Sequence, residues 1–209
     1  MTKEERYIRD NSSPVSDVLD WLERETNLRT NHARMLSGAI QGGFLQMISK
    51  IVQPENILEI GTFTGYSAIC LATGLCKTGT LDAVEKNDEL EPLIREAIRR
   101  AGLTNRISLH FGDALEILPT LNKSYNIVFI DANKREYSSY FDLVVDKVPP
   151  GGIILADNVL WDGKVYQDNL PTDAQTMEIL SFNKKIKEDE RVENIILPLR
   201  DGINIIRKL

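Results

Sequence analysis

The spacing of apolar positions changes character twice along the chain. Over the first fifty residues it is helical. Val15, Val18, Leu19 and Leu22 fall on one helix face. Met35, Ala39, Phe44, Met47, Ile48 and Ile51 predict a second helical stretch, interrupted near Gly42-Gly43 and stopped by Pro54. From Asn56 onward, short β-rich runs alternate with helical segments. Strands are predicted at 57–60, 80–85, 107–111, 125–131 and 153–157. Between the second and third of these, Leu90, Leu93, Ile94, Ala97, Ile98 and Ala101 form the apolar face of a helix. Gly102 suits the position just past its end. The final part differs again. Residues 193–199 and 203–208 read as two strands joined by a turn through Arg200-Asp201-Gly202.

Strands alternating with helices call for a mostly parallel sheet covered on both faces. The predicted fold class is therefore α/β: a doubly wound sheet ending in an antiparallel hairpin, with extra N-terminal helices packed outside it. No internal repeat, low-complexity tract or linker divides the chain. One domain over residues 1–209 is expected, with helices over 1–53 and an α/β core over 54–209.

Composition narrows this picture. The chain has 209 residues, 42% hydrophobic and 27% charged, which suits a globular protein with a sizeable core. No stretch approaches the roughly 18 apolar residues of a membrane span. The opening MTKEERYIRDNSS is charged and lacks an apolar signal region, so a cytoplasmic location is expected. A formal charge of −6 disfavours broad phosphate-backbone binding, so neither nucleic acid nor membrane is expected as a partner. Cys70 and Cys76 share one apolar segment. Six apart on a helix they would point to different sides, which predicts two reduced, buried thiols.

In doubly wound sheets, ligands sit beyond the carboxyl ends of the strands. The first strand runs into Glu59-Ile60-Gly61-Thr62-Phe63-Thr64-Gly65-Tyr66-Ser67. Gly61 and Gly65 let backbone approach a ligand without a Cβ in the way. The second strand ends in Glu85, whose carboxylate can accept hydrogen bonds from two ribose hydroxyls. The spacing G-x-x-x-G is not the pyrophosphate-binding G-x-G-x-x-G, which favours a nucleoside without phosphates over a dinucleotide. A tight turn beside a solvated Glu is the plainer alternative. After the third strand, Asp113 and the neighbouring Ala114 amide suit an adenine edge, or Asp113 simply caps the next helix.

The fourth strand ends in Asp131 and the fifth in Asp157-Asn158. Two carboxylates and an amide oxygen on one edge suit a hard divalent ion such as Mg²⁺, Mn²⁺ or Ca²⁺. Ordinary strand-end caps are the competing reading. Lys134, three residues after Asp131, can serve as a base beside a metal and a sulfonium, or be a solvated surface lysine. Trp161 lines an aromatic acceptor pocket or belongs to the core. His32 and His110 show no ligand spacing, and His110 is expected to be structural. The run 184–191 reads as a solvated helix face.

Together the segments MLSGAIQGGFL, LEIGTFTGYSAI, TLDAVE, FIDANKREY, ADNVLWDG and LPLRDGINI closely resemble the catechol and caffeoyl-CoA O-methyltransferase family. The resemblance spans about Met35 to Leu209 and is nearest to the bacterial and caffeoyl-CoA-type branch. It implies a Rossmann-like class I methyltransferase fold with seven strands, S-adenosylmethionine as cofactor, a divalent cation (Mg²⁺ first), a small phenolic acceptor and a homodimer. By matching position it implies that Met35, Ser37, Glu59, Gly61, Thr62, Gly65, Ser67, Glu85, Asp113, Ala114 and Asp131 contact the cofactor. Asp131, Asp157 and Asn158 match metal ligands, and Lys134 matches the general base. By the same match Lys134 and Asp162 would face the acceptor, with Trp161 beside them as a candidate for its pocket. Two departures mark the chain. Asn133 stands where many relatives carry Asp, and Asp162 stands where plant caffeoyl-CoA enzymes carry a substrate-contacting Asn. Other readings stay open: a methyltransferase of RNA or protein, a nicotinamide-dependent oxidoreductase, or a non-catalytic cofactor-binding protein.

Overall fold

A computed structural model describes residues 2–169 and 172–209. β1 (Asn56–Ile60), β2 (Thr80–Glu85), β3 (Ile107–Phe111), β4 (Ile127–Ile130) and β5 (Ile153–Asp157) pair in parallel. β6 (Val192–Leu197) and β7 (Ile203–Lys208) form an antiparallel hairpin, in which β7 runs antiparallel to β5. The seven-stranded order is β3-β2-β1-β4-β5-β7-β6. The order reverses beside β1 and β4, and the carboxyl ends of strands at such a switch point are where doubly wound sheets bind ligands.

Why the sheet is covered on both faces follows from its residues. Across one face, Leu58, Val128, Ile154 and Ile206 are in register and fully buried. They pack under α7 (Tyr137–Val144) and α8 (Ala174–Glu188), with the short α6 (Ala114–Ile117) alongside. The other face presents Ile57, Leu81, Ile127 and Leu155 to α2 (Asp17–Arg29), α3 (Gly38–Val52), α4 (Tyr66–Ala72) and α5 (Glu91–Arg100). Each such aliphatic side chain contributes about 1.5–3 kcal/mol by burial. Strands buried on both faces read as apolar runs, and β4 is an example in Ile127-Val128-Phe129-Ile130. Before α2 stands an exposed helix, α1 (Lys3–Asp10), closed by a Thr2/Glu5 capping box.

Several sequence expectations need correction. α3 runs unbroken through Gly42-Gly43. Gly42 is there for packing: a Cβ on it would lie 2.8 Å from Cε1 of Tyr66 on α4. The helix does stop before Pro54, through Gln53 in a left-handed conformation. Met35 precedes α3, in a separate 3-10 turn (Ala33–Met35). The fourth strand is shorter than 125–131: it spans Ile127–Ile130, and before it the Tyr125 N–H turns to the Lys147 carbonyl instead of a neighbouring strand. Strand β6 begins one residue early and ends at Leu197. Cys76 lies beyond the end of α4 and is half-buried, while Cys70 is buried; both thiols are free. In the run 184–191 the helix ends at Glu188, and Ile186 is core. His110 is structural as expected, its Nε2 lying 2.9 Å from Asp82 Oδ1 on β2. Among the described residues no helix is long and apolar enough to cross a membrane.

Candidate active site

β1 leaves the sheet at Ile60 and turns through Gly61–Gly65 into α4. Gly61 has φ of 93°, and a Cβ there would lie 2.1 Å from the Asp131 carbonyl oxygen. The loops after β1 and β4 therefore cross in contact, which only glycine permits. Gly65 caps α4 at φ 92°, a backbone conformation that side chains resist. Phe63 also takes a left-handed φ, 50°, and its N–H donates to Glu85 Oε2 at 2.6 Å. Glu85 Oε1 accepts from Asn87 N–H at 2.8 Å. The Glu85 carboxylate thus ties the glycine turn to the end of β2 and keeps further lone pairs free.

Glu59 lies beneath this turn, wholly buried, in register with Ala83 and Phe129. Its Oε2 accepts from the Thr62 hydroxyl, and its Oε1 has no hydrogen-bond partner. Burial raises its pKa from 4.5 to about 7. The Ser67 and Thr62 hydroxyls pull against that shift, and the negative charges of Asp131 and Glu85 add to it. A buried carboxyl with an unpartnered oxygen fits a ligand that brings a cationic donor.

At the ends of β4 and β5 the second half of the site assembles. Lys134 is almost buried, and its Nζ donates to Asp131 Oδ1 at 2.8 Å and to Tyr137 Oη at 2.6 Å. The turn that carries it is capped by Asn133, whose side-chain oxygen accepts from Arg135 N–H. The Tyr137 hydroxyl also reaches the Ile130 and Asp157 carbonyls, at 3.2 and 3.0 Å. Burial first, then the charges of Asp131 and Asp157, push the Tyr137 pKa far up, so it stays a neutral donor. Asp157 is 3% exposed. Its Oδ2 accepts from Gln41 Nε2 at 2.7 Å and its Oδ1 from Asn158 N–H at 2.8 Å. Burial and then the Asp131 charge push the Asp157 carboxyl above the usual range. Asn158 follows with φ 57° and is half-buried.

Would these groups suit a divalent cation? Two carboxylates close enough to repel, with one lysine bonded to Asp131, leave negative charge that a hard cation would neutralise. Among the described residues no three Asp, Glu, His or Cys side chains cluster as a ligand set. The donors would be Asp131, Asp157 and the neutral oxygen of Asn158, with water or ligand oxygens completing the shell. That set fits Mg²⁺ or Mn²⁺, not a soft metal.

Other predicted residues lie around this edge. Ser37 is buried at the start of α3, and Ser67 is buried in the first turn of α4. Met35 is 58% exposed. Asp113 does cap α6, accepting from Leu115 N–H at 3.0 Å, and its other oxygen pairs with Lys86 at 2.8 Å. Ala114 follows, buried. Trp161 is half-buried, with an unpartnered Nε1–H. Asp162 is exposed, and its N–H donates to Asp201 Oδ1 at 2.6 Å. A separate groove of about 650 Å³, lined by Leu19, Ile40, Phe44 and Met47, lies between α3 and the α1–α2 segment. Sequence reasoning missed Gln41, Tyr137 and Arg200. A polar residue inside the apolar run of α3, and a tyrosine one turn past Lys134, were the signals available.

A family model described as O-methyltransferase matches residues 9–209. The caffeoyl-CoA O-methyltransferase of Medicago sativa is 34% identical over 189 residues, covering 84% of this chain and 75% of that protein. The corresponding protein of Mesembryanthemum crystallinum is 35% identical over 189 residues, covering 84% and 73%. Among solved structures, the SAH-bound Podospora anserina methyltransferase PaMTH1 superimposes with a TM-score of 0.91 at 29% identity, covering 99% of this chain and 94% of that one. The O-methyltransferase from Bacillus cereus in complex with SAH gives 0.89 at 30% identity, covering 100% and 98%.

Proposed function

The chain belongs to the O-methyltransferase family, and from that premise we propose that it methylates a hydroxyl of a small catechol-like or caffeoyl-type acceptor, using S-adenosylmethionine and a divalent cation. One observation carries this reading. A glycine turn flanked by Glu59 and Glu85 shares a single sheet edge with the Asp131–Lys134–Asp157 cluster. The first half suits a nucleoside with a cationic tail, and the second suits a hard cation beside a proton acceptor.

S-adenosylmethionine supplies a methyl carbon that its sulfonium makes electrophilic. In this reading Glu85 uses its free lone pairs for the ribose hydroxyls, and Glu59 offers Oε1 to the ammonium of the methionine portion. Ser37, Thr62 and Ser67 surround that end, with Gly61 and Gly65 giving backbone access. Asp113 and the Ala114 amide meet the adenine, and Met35 stands near the sulfur. The SAH-bound neighbours support this half.

A divalent cation, Mg²⁺ first with Mn²⁺ or Ca²⁺ as alternatives, would favour the deprotonated form of an acceptor hydroxyl. Asp131, Asp157 and Asn158 would hold it. Lys134 is the general base in this reading. It is held in place by Asp131 and Tyr137, and it must give up a proton before it can accept one from the acceptor. Trp161 and Asp162 line the acceptor mouth. The names of the caffeoyl-CoA relatives support a phenolic acceptor with adjacent oxygens.

The test combines binding and turnover. Calorimetry should show SAH binding and no NAD binding. A mass-detected screen over catechol, caffeate, caffeoyl-CoA and a flavonoid should then show methylated product with Mg²⁺ and none with EDTA. Product formed equally in EDTA would remove the cation from the account, and an inert screen would remove the acceptor class.

A further inference from the structure

Arg200 sits in the turn between β6 and β7, far from Asp157 in sequence, yet its guanidinium ends against the site. Its Nη1 lies 2.9 Å from the Leu36 carbonyl, 2.5 Å from the Ser37 carbonyl and 2.8 Å from Gln41 Oε1. Two hydrogens on one nitrogen serve three acceptors, so one bond is shared. Gln41 then spends its amide on Asp157 Oδ2, at 2.7 Å. Leu36, Ser37 and Gln41 are all buried, so the guanidinium makes these bonds away from bulk water. The side-chain amide of Gln41 has only one orientation that satisfies both neighbours: oxygen to the cation, NH₂ to the carboxylate. Arg200 thereby fixes which face of Gln41 meets Asp157.

The backbone adds a second, independent sign. Arg200 has φ 51°, a conformation that a side chain takes at a cost and glycine takes freely. The same turn holds the other side of the site. Leu160 N–H bonds to Asp201 C=O at 2.9 Å, Val159 N–H to Gly202 C=O at 3.1 Å, and Asp162 N–H to Asp201 Oδ1. The hairpin turn thus grips both the segment entering α3 and the loop leaving β5.

We propose that Arg200, acting through Gln41, is a positioning residue that aims the Asp157 carboxylate for divalent-cation binding. The inference rests on the cation site proposed above. Arg200 touches no reacting atom in this role. It orients a ligand-bearing side chain, as outer hydrogen-bond partners commonly do in metal sites.

The test measures Mn²⁺ binding to the full chain by electron paramagnetic resonance, without acceptor or turnover. Arg200→Gly removes the guanidinium while suiting the left-handed backbone, so the turn is kept. Gln41→Leu removes the link alone. Each should weaken Mn²⁺ affinity about tenfold or more, the scale typical of lost outer-shell partners. The double variant should be no weaker than the poorer single variant, because both act on one chain of contacts. Circular dichroism should show every variant folded at the temperature of the binding measurement, with thermal melts lowered by the buried hydrogen bonds each variant loses. Asp157→Ala separates the two levels of the argument. If wild type binds no Mn²⁺, or binds it equally in Asp157→Ala, the cation site falls and this inference with it. If binding is lost in Asp157→Ala but kept within twofold in Arg200→Gly, the site stands and this inference alone is overturned. Losses that multiply in the double variant overturn it too.

Discussion

Replacing Glu59 by glutamine should make the ligand-free protein more stable at neutral pH and a poorer binder of its cofactor. Glu59 is wholly buried and ionises near pH 7 in the fold, against 4.5 as its ordinary value, chiefly because burial penalises the charge. The sign follows from proton counting. Between these two values the folded chain keeps a proton that the unfolded chain has released, so stability falls as pH rises. Above the folded value the loss is complete and stays constant. Holding that proton from 4.5 up to about 7 is worth on the order of 3 kcal/mol. A glutamine side chain has the same shape, carries no charge and has no such dependence. At pH 8 the Glu59→Gln variant should therefore gain up to about 3 kcal/mol, or roughly 6–10 °C in Tm for a chain of this size. At pH 5 the two proteins should melt within about 1 kcal/mol of each other. The same substitution removes the carboxylate that the proposed site offers to a cationic group, so SAH affinity should fall about tenfold or more. Urea melts of both proteins from pH 5 to 8, with and without SAH, test this directly. A wild type whose stability relative to the variant does not change over that range would refute the reasoning.

Three further outcomes follow from the packing. Gly61→Ala should cost about 3 kcal/mol or more and impair SAH binding, since its Cβ would meet the Asp131 carbonyl at 2.1 Å on a left-handed backbone; denaturant melts and calorimetry check both. Neighbouring glycines in α3 should respond oppositely: Gly42→Ala, 2.8 Å from the buried Tyr66 ring, should lose about 1–3 kcal/mol. Gly43→Ala, with nothing within 4 Å, should gain about 0.5–1 kcal/mol of helix stability. Asp82 is buried, which alone would raise its carboxyl. Bonds from Lys123 at 2.8 Å and His110 outweigh that and hold it below the usual range. This contribution is full above the ordinary carboxylate pKa and is lost as pH falls through the lower folded value. Asp82→Asn should therefore cost about 1–3 kcal/mol at pH 6 and progressively less as pH falls below the ordinary carboxylate range, as melts at descending pH would show.

The centre of the sheet was readable because β1, β4 and β5 are buried on both faces. Apolar runs such as Ile127–Ile130 and the Gly102 helix stop carry strong local signals. The break expected at Gly42-Gly43 failed because a glycine mid-helix was read as punctuation, whereas Gly42 answers to the Tyr66 ring on another helix. Tertiary contact of that kind leaves no periodic trace. The same holds within the site. Strand-end positions pointed to Glu59, Glu85, Asp131 and Asp157, since strand ends in a doubly wound sheet share an edge by topology. Gln41 and Arg200 reach that edge only through side-chain length and a hairpin returning from the end of the chain, 159 positions apart. The competing plain reading of Asp113 was correct as far as it went, since it does cap α6.

The initial rate of methyl transfer to a 3,4-dihydroxycinnamoyl acceptor, measured by product mass with Mg²⁺ and again in EDTA, bears most directly on the account. Wild type should turn over with Mg²⁺ and stop in EDTA, and Asp157→Ala should stay inactive in both while still binding SAH. Equal turnover in EDTA, or full activity of Asp157→Ala, would contradict it.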